Sequence, residues 1–252
     1  MTEVDSPTQP SSELVSARDL VRVRLLWDIL HGEIEPLPTE GHPLTESSIM
    51  DRYGQTSRMP VRMALAVLAG EGLFRQRARY GYWLVQYDLD DVRQITRIRA
   101  GVEAMVADAL CQRRMASEDT AADERSGVAL WDSALHHHQA MGSLVEGRYG
   151  EVGKEVESTF ADADTQFHVS LAQAGGYDIA ARHIVEWRNQ VRIFRLQHGI
   201  RYDFDALRAV QAEHSELIDA IGRADRESAA ELARAHIERV LTRAQALVPE
   251  YA

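Results

Sequence analysis

Lysine is almost missing from this chain. Of its 28 basic residues only Lys154 is a lysine, which leaves 27 arginines. Any phosphate or base bound through a cation therefore meets a planar guanidinium fork rather than an ammonium point charge. Cysteine occurs once, at Cys111, so no internal disulfide forms and the chain suits a reducing cytoplasm, with Cys111 as small core filler on a helix. No apolar stretch reaches the roughly 18 residues that a membrane-spanning helix needs, which removes such a span. Residues 1–13 hold neither Lys nor Arg; a basic secretory start is lacking, and residues 1–15 read as a flexible tail. Internal repeats and low-complexity segments are also missing.

With 252 residues, 45% hydrophobic and 27% charged, the chain has the composition of a folded globular protein and room for two modest domains. A net charge of −11 argues at first against nucleic acid, since phosphate binding is driven by cations. Distribution overrides the sum. Between Ser57 and Tyr82 stand five arginines, 58, 62, 75, 77 and 79, against the single acid Glu71, a local surplus of four positive charges.

The pattern predicts a mainly α protein in two domains, 16–87 and 88–252. In the first, Ser16 caps a helix whose apolar positions Leu20, Val23, Leu26 or Trp27, and Leu30 recur at three-to-four spacing. Gly32 and three prolines between 36 and 43 enforce a loop. Thr45 and Ser48 open a short helix, Gly54 breaks it, and Thr56 or Ser57 caps a second helix from Arg58 to Gly70, which is a helix-turn-helix pattern. Leu73-Phe74 and the run 82–85 flank Arg75 to Gly81 as the strands of a small wing. Beyond Asp88 the chain reads as an all-α bundle with helices at 88–114, 128–147, 152–174, 177–197, 203–221 and 226–246, broken at 117–127 and at glycines.

A recognition helix places residues near its start against base edges, and neighbouring groups hold phosphates. Ser57, Arg58 and Arg62 occupy that start, with the two arginines four apart on one face; Arg75, Arg77, Arg79, Tyr80 and Gly81 flank it on the wing. An arginine here can hold guanine O6 and N7 bidentately. Charge alone leaves open that these arginines form only a solvated face.

In the second domain Asp164 and His168 are i and i+4 on one helix and can meet one ion. His214 lies eight residues before Gly222 and His236 eleven after Asp225, heights of about 12 and 16 Å along an antiparallel hairpin, less than a turn apart. Three neutral imidazoles and a carboxylate suit a divalent metal, zinc first, then nickel or manganese, with positions left for water or a ligand. Each histidine alone also fits a structural role. His136, His137 and His138 are consecutive, spread around a helix, and read as mostly solvated.

The run T-S-R-M-P-V-R-M-A-L-A-V-L-A-G-E-G-L-F followed by R-Y-G-Y-W-L-V, within residues 18–86, resembles the winged helix-turn-helix of the GntR family of bacterial transcriptional regulators. Two departures mark it: Met59 and Met63 stand where the family has Thr and Glu, and the turn before Ser57 is one residue longer. Residues 90–246 resemble the FadR C-terminal domain, whose bundle carries D-x-x-x-H, then His, then His about 22 positions later; 214 and 236 are 22 apart. The resemblance implies a homodimer, assembled through its helical domain, that binds an inverted-repeat operator in double-stranded DNA. It further implies a metal at Asp164, His168, His214 and His236, and a small carboxylate effector. A carboxylate wants a bidentate arginine; Arg99 is the first candidate, then Arg192 and Arg195. Two other readings stand beside this one. A metallohydrolase can use such a site to activate water, although no H-E-x-x-H is present. A metal-free helical scaffold needs the polar cluster only for structure.

Overall fold

The computed structural model describes residues 16–55, 57–115 and 123–247. The expected tail, the alternative cap Thr56 and most of the expected break at 117–127 lie outside those residues. Ser16 caps α1 (Ala17–Leu30) by accepting from Asp19 N at 3.2 Å. The helix is as expected and its buried stripe only in part: Leu30 is buried and Leu26 partly so, but Val21, Leu25 and Ile29 face the core while Leu20, Val23 and Trp27 are exposed. Both stripes keep helical spacing, so periodicity alone does not choose between them.

Thr45 and Ser48 form a reciprocal capping box at the start of α2 (Glu46–Tyr53), and Gly54 ends it in the left-handed conformation. Ser57 sits at the N-cap of α3 (Arg58–Gly70), yet its side chain makes no cap bond, which corrects the expected capping role. Val61, Ala64, Leu65 and Leu68 bury one face of α3 against α1. The wing is an antiparallel pair, β1 (Phe74–Arg77) and β2 (Gly81–Leu84), with Phe74 opposite Leu84 and Arg77 opposite Gly81. Arg75 and Arg77 thus lie within β1 rather than in the loop. Leu44, from the loop before α2, adds an isolated rung to β2, exchanging hydrogen bonds of 2.7 and 2.8 Å with Tyr82.

Four residues after β2 the bundle begins. Its described helices are α4 (Leu89–Met115), α5 (Asp123–Val145), α6 (Lys154–Ala174), α7 (Asp178–Gln197), α8 (Phe204–Gly222) and α9 (Arg226–Leu247). They match the expected six to within two residues at nearly every end. The exception is α5, which starts at Asp123 and runs through Gly127, because a lone glycine weakens a helix without ending it. Along its length α4 packs on α9, and α5 on α6; α7 leans on α6, and α8 on α9 and α5. No helix among the described residues is long and apolar enough to cross a membrane.

Head and bundle share a core. Leu25, Ile29, Leu65 and Leu84 of the head belong to the same buried cluster as Val92, Val191, Phe194 and Ile200 of the bundle. Polar ties reinforce it: Gln197 Nε2 donates to Val85 O at 2.8 Å, Gln190 Nε2 to Glu71 O at 3.1 Å, and His31 Nε2 stands 3.0 Å from Asp162 Oδ2. A second buried cluster, around Met141, Phe167, Ile184 and Leu217, fills the bundle proper.

Candidate metal centre and nucleic-acid interface

Asp164 and His168 project from one face of α6 because they are a single turn apart, and α8 and α9 bring His214 and His236 to the same point. One ligand atom from each of the four lies within 4.8 Å of all the others. His214 Nε2 is 3.1 Å from His236 Nε2. Asp164 Oδ1 is 3.3 Å from His168 Nε2 and 3.5 Å from His214 Nε2. The three histidines are buried, at 2%, 0% and 3% exposure for 168, 214 and 236, so water does not screen the cluster from the outside. The antiparallel-hairpin geometry expected for His214 and His236 is present.

Two carboxylates that the sequence reading did not single out stand against the far nitrogens of two rings. Glu103 Oε2 stands 2.5 Å from His168 Nδ1, and Glu213 Oε2 stands 2.7 Å from His236 Nδ1. At His236, where the contact is a hydrogen bond, the carboxylate holds the proton of a neutral imidazole on Nδ1, which leaves Nε2 as a lone pair. Burial pushes the His214 imidazole well below its ordinary pKa, with His236 adding to the shift, and burial likewise lowers His236 against the pull of Glu213. Burial alone would raise Asp164, but Arg188 first, then His168 and His214, hold its carboxyl well below the usual range. The result is an ionised carboxylate beside His214 and His236, two rings that burial favours in the neutral form. Asp164 Oδ1 is buried and accepts no hydrogen bond from the protein. Lone pairs converging at these distances repel unless a cation stands among them, so the donor set fits a divalent metal by its chemistry.

A cavity of about 60 Å³ opens beside the cluster, lined by Asp164, His236, Arg99, Arg188, Arg192 and Arg195 among others. All three arginines proposed from sequence therefore reach one chamber. Arg99 is 3% exposed and bonds Glu103 at 2.6 Å through Nε, but its Nη2 is buried without a partner. Arg192 donates to Asp162 at 2.5 Å and Arg195 to Glu157; Arg192 Nη2 and Arg195 Nε are buried and unpartnered. Arg188, missed in the sequence, binds both Asp164 and Thr165, the latter at 2.9 Å. Its signal was readable: 188, 192 and 195 share one face of α7 at i, i+4 and i+7.

His138 is a correction. Instead of facing solvent it turns toward α8, with Nε2 3.1 Å from Ser215 Oγ and 2.9 Å from Gln211 Nε2, and burial lowers its pKa. Ala134, Met141 and Val145 are buried on the same helix, and 134, 138, 141 and 145 form one stripe. His136 is exposed, and His137 is half-buried with its pKa lowered by burial.

On the head, Ser57, Arg58, Arg62, Arg75, Arg77, Arg79 and Tyr80 are all exposed, and Gly81 is half-buried. Arg79 adopts a positive φ of 64° at the tip of the wing. Tyr80 donates its hydroxyl to Glu40 O at 2.7 Å and lies under the Arg77 guanidinium, 5.5 Å from the ring centre. Gly81 has a local reason to be glycine: its φ is +134°, and a Cβ there would meet Leu44 O at 2.5 Å. Arg62 is held by Glu46 of α2.

The model of the FCD domain matches residues 94–239, more than half of the chain, and contains all four cluster residues. The chain belongs to the FCD domain family. Over 223 residues it is 26% identical to the HTH-type transcriptional repressor RspR of Escherichia coli (strain K12), covering 85% of each chain. It is 25% identical over 234 residues to the HTH-type transcriptional regulator BphR of Paraburkholderia xenovorans (strain LB400), covering 93% of this chain and 87% of that one. The solved structure of E. coli McbR/YncC has the same fold, with a TM-score of 0.67 at 16% identity over 95% of this chain and 100% of that chain. A GntR transcriptional regulator from Rhodococcus sp. RHA1 gives 0.61 at 19% identity over 89% and 95%. The expected GntR and FCD membership and the winged-head-plus-bundle fold are borne out, and the chain is a transcriptional regulator of the GntR/FCD type. The cluster of four, which could hold a metal ion, lies on α6, α8 and α9 within the matched residues and is walled on one side by Arg99 and Glu103 of α4, the helix that leaves the wing.

Proposed function

We propose that this chain is a homodimeric, cytoplasmic repressor that reads an inverted repeat in double-stranded DNA and is controlled by a small carboxylate bound beside a divalent metal. Ser57, Arg58 and Arg62 at the start of α3 meet base edges, and Arg75, Arg77, Arg79 and Tyr80 of the wing hold the flanking backbone. Ile98 and Met105, 54% and 44% exposed on one face of α4, supply an apolar face for pairing of two bundles.

Asp164, His168, His214 and His236 hold the ion, zinc first, with nickel or manganese also suited to this set. When bound, the ion supplies a Lewis-acidic charge that attracts an anionic oxygen. The residues around it do the rest. Glu103 and Glu213 orient two of the imidazoles. Arg99 Nη2, unpartnered and buried, donates to a carboxylate in the chamber, and the cavity of about 60 Å³ admits only a short acid. Arg188, which already pairs with Asp164, fixes the other wall.

The observation that carries this reading is the place of Arg99 and Glu103 on α4, a helix separated from the end of the wing by only four residues. A ligand that engages Arg99 pulls on the helix that carries the head. Such coupling is typically about 1–3 kcal/mol, a 5- to 150-fold change in affinity. Operator affinity is to be measured on the full chain with and without metal and with a panel of short carboxylates. A ligand- and metal-dependent change of that size supports ligand control; identical affinities throughout count against it.

A further inference from the structure

A larger cavity, about 240 Å³, lies where the head meets the bundle. Leu30, Ile34 and Leu37, from the end of α1 and the loop after it, form its apolar side. The opposite side is cationic. Lys154 of α6, Arg192 and Arg195 of α7, and Arg201 just beyond α7 line it, against Glu35 and Glu157. Some of this charge is already matched: Lys154 pairs with Glu35 at 2.6 Å, Arg201 with Glu157 at 2.9 Å, Arg195 with Glu157, and Arg192 with Asp162. Four cations thus face three acids, and the surplus falls on buried groups, since Arg192 Nη2 and Arg195 Nε have no acceptor. A buried guanidinium N–H without an acceptor is rare, and the two arginines that carry one here both line this cavity.

We infer that this junction cavity is a second ligand site, distinct from the metal chamber, for a carboxylate carried on an apolar body such as a medium-chain or aromatic acid. The carboxylate accepts from Arg192 and Arg195, and the apolar body lies against Leu30, Ile34 and Leu37. Neither part of the wall serves alone: bare anions lack a partner for the aliphatic side, and apolar neutrals leave the guanidinium donors unmet. The metal chamber is smaller and shares Glu157, Ala161, Arg192 and Arg195 with this cavity. An acid bound at the junction therefore draws on arginines that also line the chamber. Because the junction is walled by head on one side and bundle on the other, its occupant contacts both.

The test is calorimetric titration of the full chain with benzoate and with hexanoate, each set against its amide, benzamide and hexanamide. The acids are expected to bind and the amides to bind about tenfold more weakly or less, the scale of one charge-assisted hydrogen bond. Leu37 lines only the junction, and Asp164 and His236 line only the chamber. Leu37→Trp, which fills the junction, is expected to weaken the acids by about tenfold or more, the scale set by losing the apolar contact. Chelation with EDTA is expected to leave them bound. A doubly substituted Lys154→Gln, Arg201→Gln protein, altered only at exposed rim positions, is expected to weaken the acids and spare the amides. Acid binding that disappears on chelation and survives Leu37→Trp places the anion in the metal chamber and overturns the inference. So does failure of both acids to bind at millimolar concentration. Neither result depends on DNA, so the regulator reading stands or falls separately.

Discussion

Arg62 on α3 donates two hydrogen bonds to Glu46 on α2, from Nε at 2.9 Å and Nη2 at 3.2 Å. The pair keeps the Glu46 carboxyl below its ordinary pKa, and it gives the head an internal competitor for any guanine or phosphate. Arg62 is more than half exposed, so solvent screens the pair and exchange for a nucleic-acid partner is cheap. Arg62→Ala is expected to weaken operator binding by roughly ten- to a hundredfold, as for loss of one bidentate base contact. Glu46→Gln is expected to strengthen it a few-fold and to steepen its salt dependence. Titrations across a salt series check both; an Arg62→Ala protein with unchanged affinity removes Arg62 from the interface.

Metal affinity supplies the second test. His214→Ala removes a ligand and is expected to abolish stoichiometric zinc in elemental analysis of purified protein. Glu213→Ala, which removes the acceptor of His236 Nδ1, is expected to keep the metal at roughly 10- to 100-fold lower affinity, measured by chelator competition. Wild-type protein that holds no metal after zinc loading would favour the scaffold reading.

Acid should unfold the chelated protein earlier than ordinary carboxylate titration predicts. His214 and His236 have lowered pKa values in the fold, against about 6.5 when unfolded. Below about pH 6.5 the unfolded chain takes up protons that the folded chain refuses, so stability falls as pH falls, by up to about 1.4 kcal/mol per pH unit for each histidine. Asp164, held low in the fold, adds a further loss only below about pH 4, as pH falls toward its folded value. Urea midpoints between roughly pH 7.5 and 5.5 are expected to drop steadily; a flat profile means that folding leaves the two histidines titrating as in the unfolded chain and overturns the lowered values.

Gly81→Ala tests the wing. Its φ of +134° and the 2.5 Å approach to Leu44 O forbid a Cβ without moving the Leu44 to Tyr82 rung, a cost of about 1–3 kcal/mol. Chemical-denaturation midpoints report the cost, and operator affinity is expected to fall with it. An alanine protein of native stability would show that the rung is dispensable.

Much of this could be read from the residues. Helical periodicity and glycine breaks set the bundle, and heights along the α8 to α9 hairpin put His214 opposite His236, which the Nε2 separation of 3.1 Å bears out. Rotational phase was harder. On α1 two apolar stripes compete, and only packing against α3 selects Val21, Leu25 and Ile29. In the triple histidine, one ring must face inward, and the stripe through Ala134, Met141 and Val145 names His138. Glu103 was open to an i, i+4 reading with Arg99. Pairings across long separations, such as Leu44 with Tyr82 or Arg188 with Asp164, leave no local trace, because nothing nearby in the chain requires them.

Val191, Phe194 and Ile200 sit in the same apolar cluster as the helices of the head. Cutting the chain between wing and α4 would lay them bare, at roughly 1.5–3 kcal/mol for each large side chain. The reader of this protein is thus not a portable cassette. A chimera that joins it to another regulator's bundle inherits an unmatched seam, and a protein engineer must carry α7 across with it.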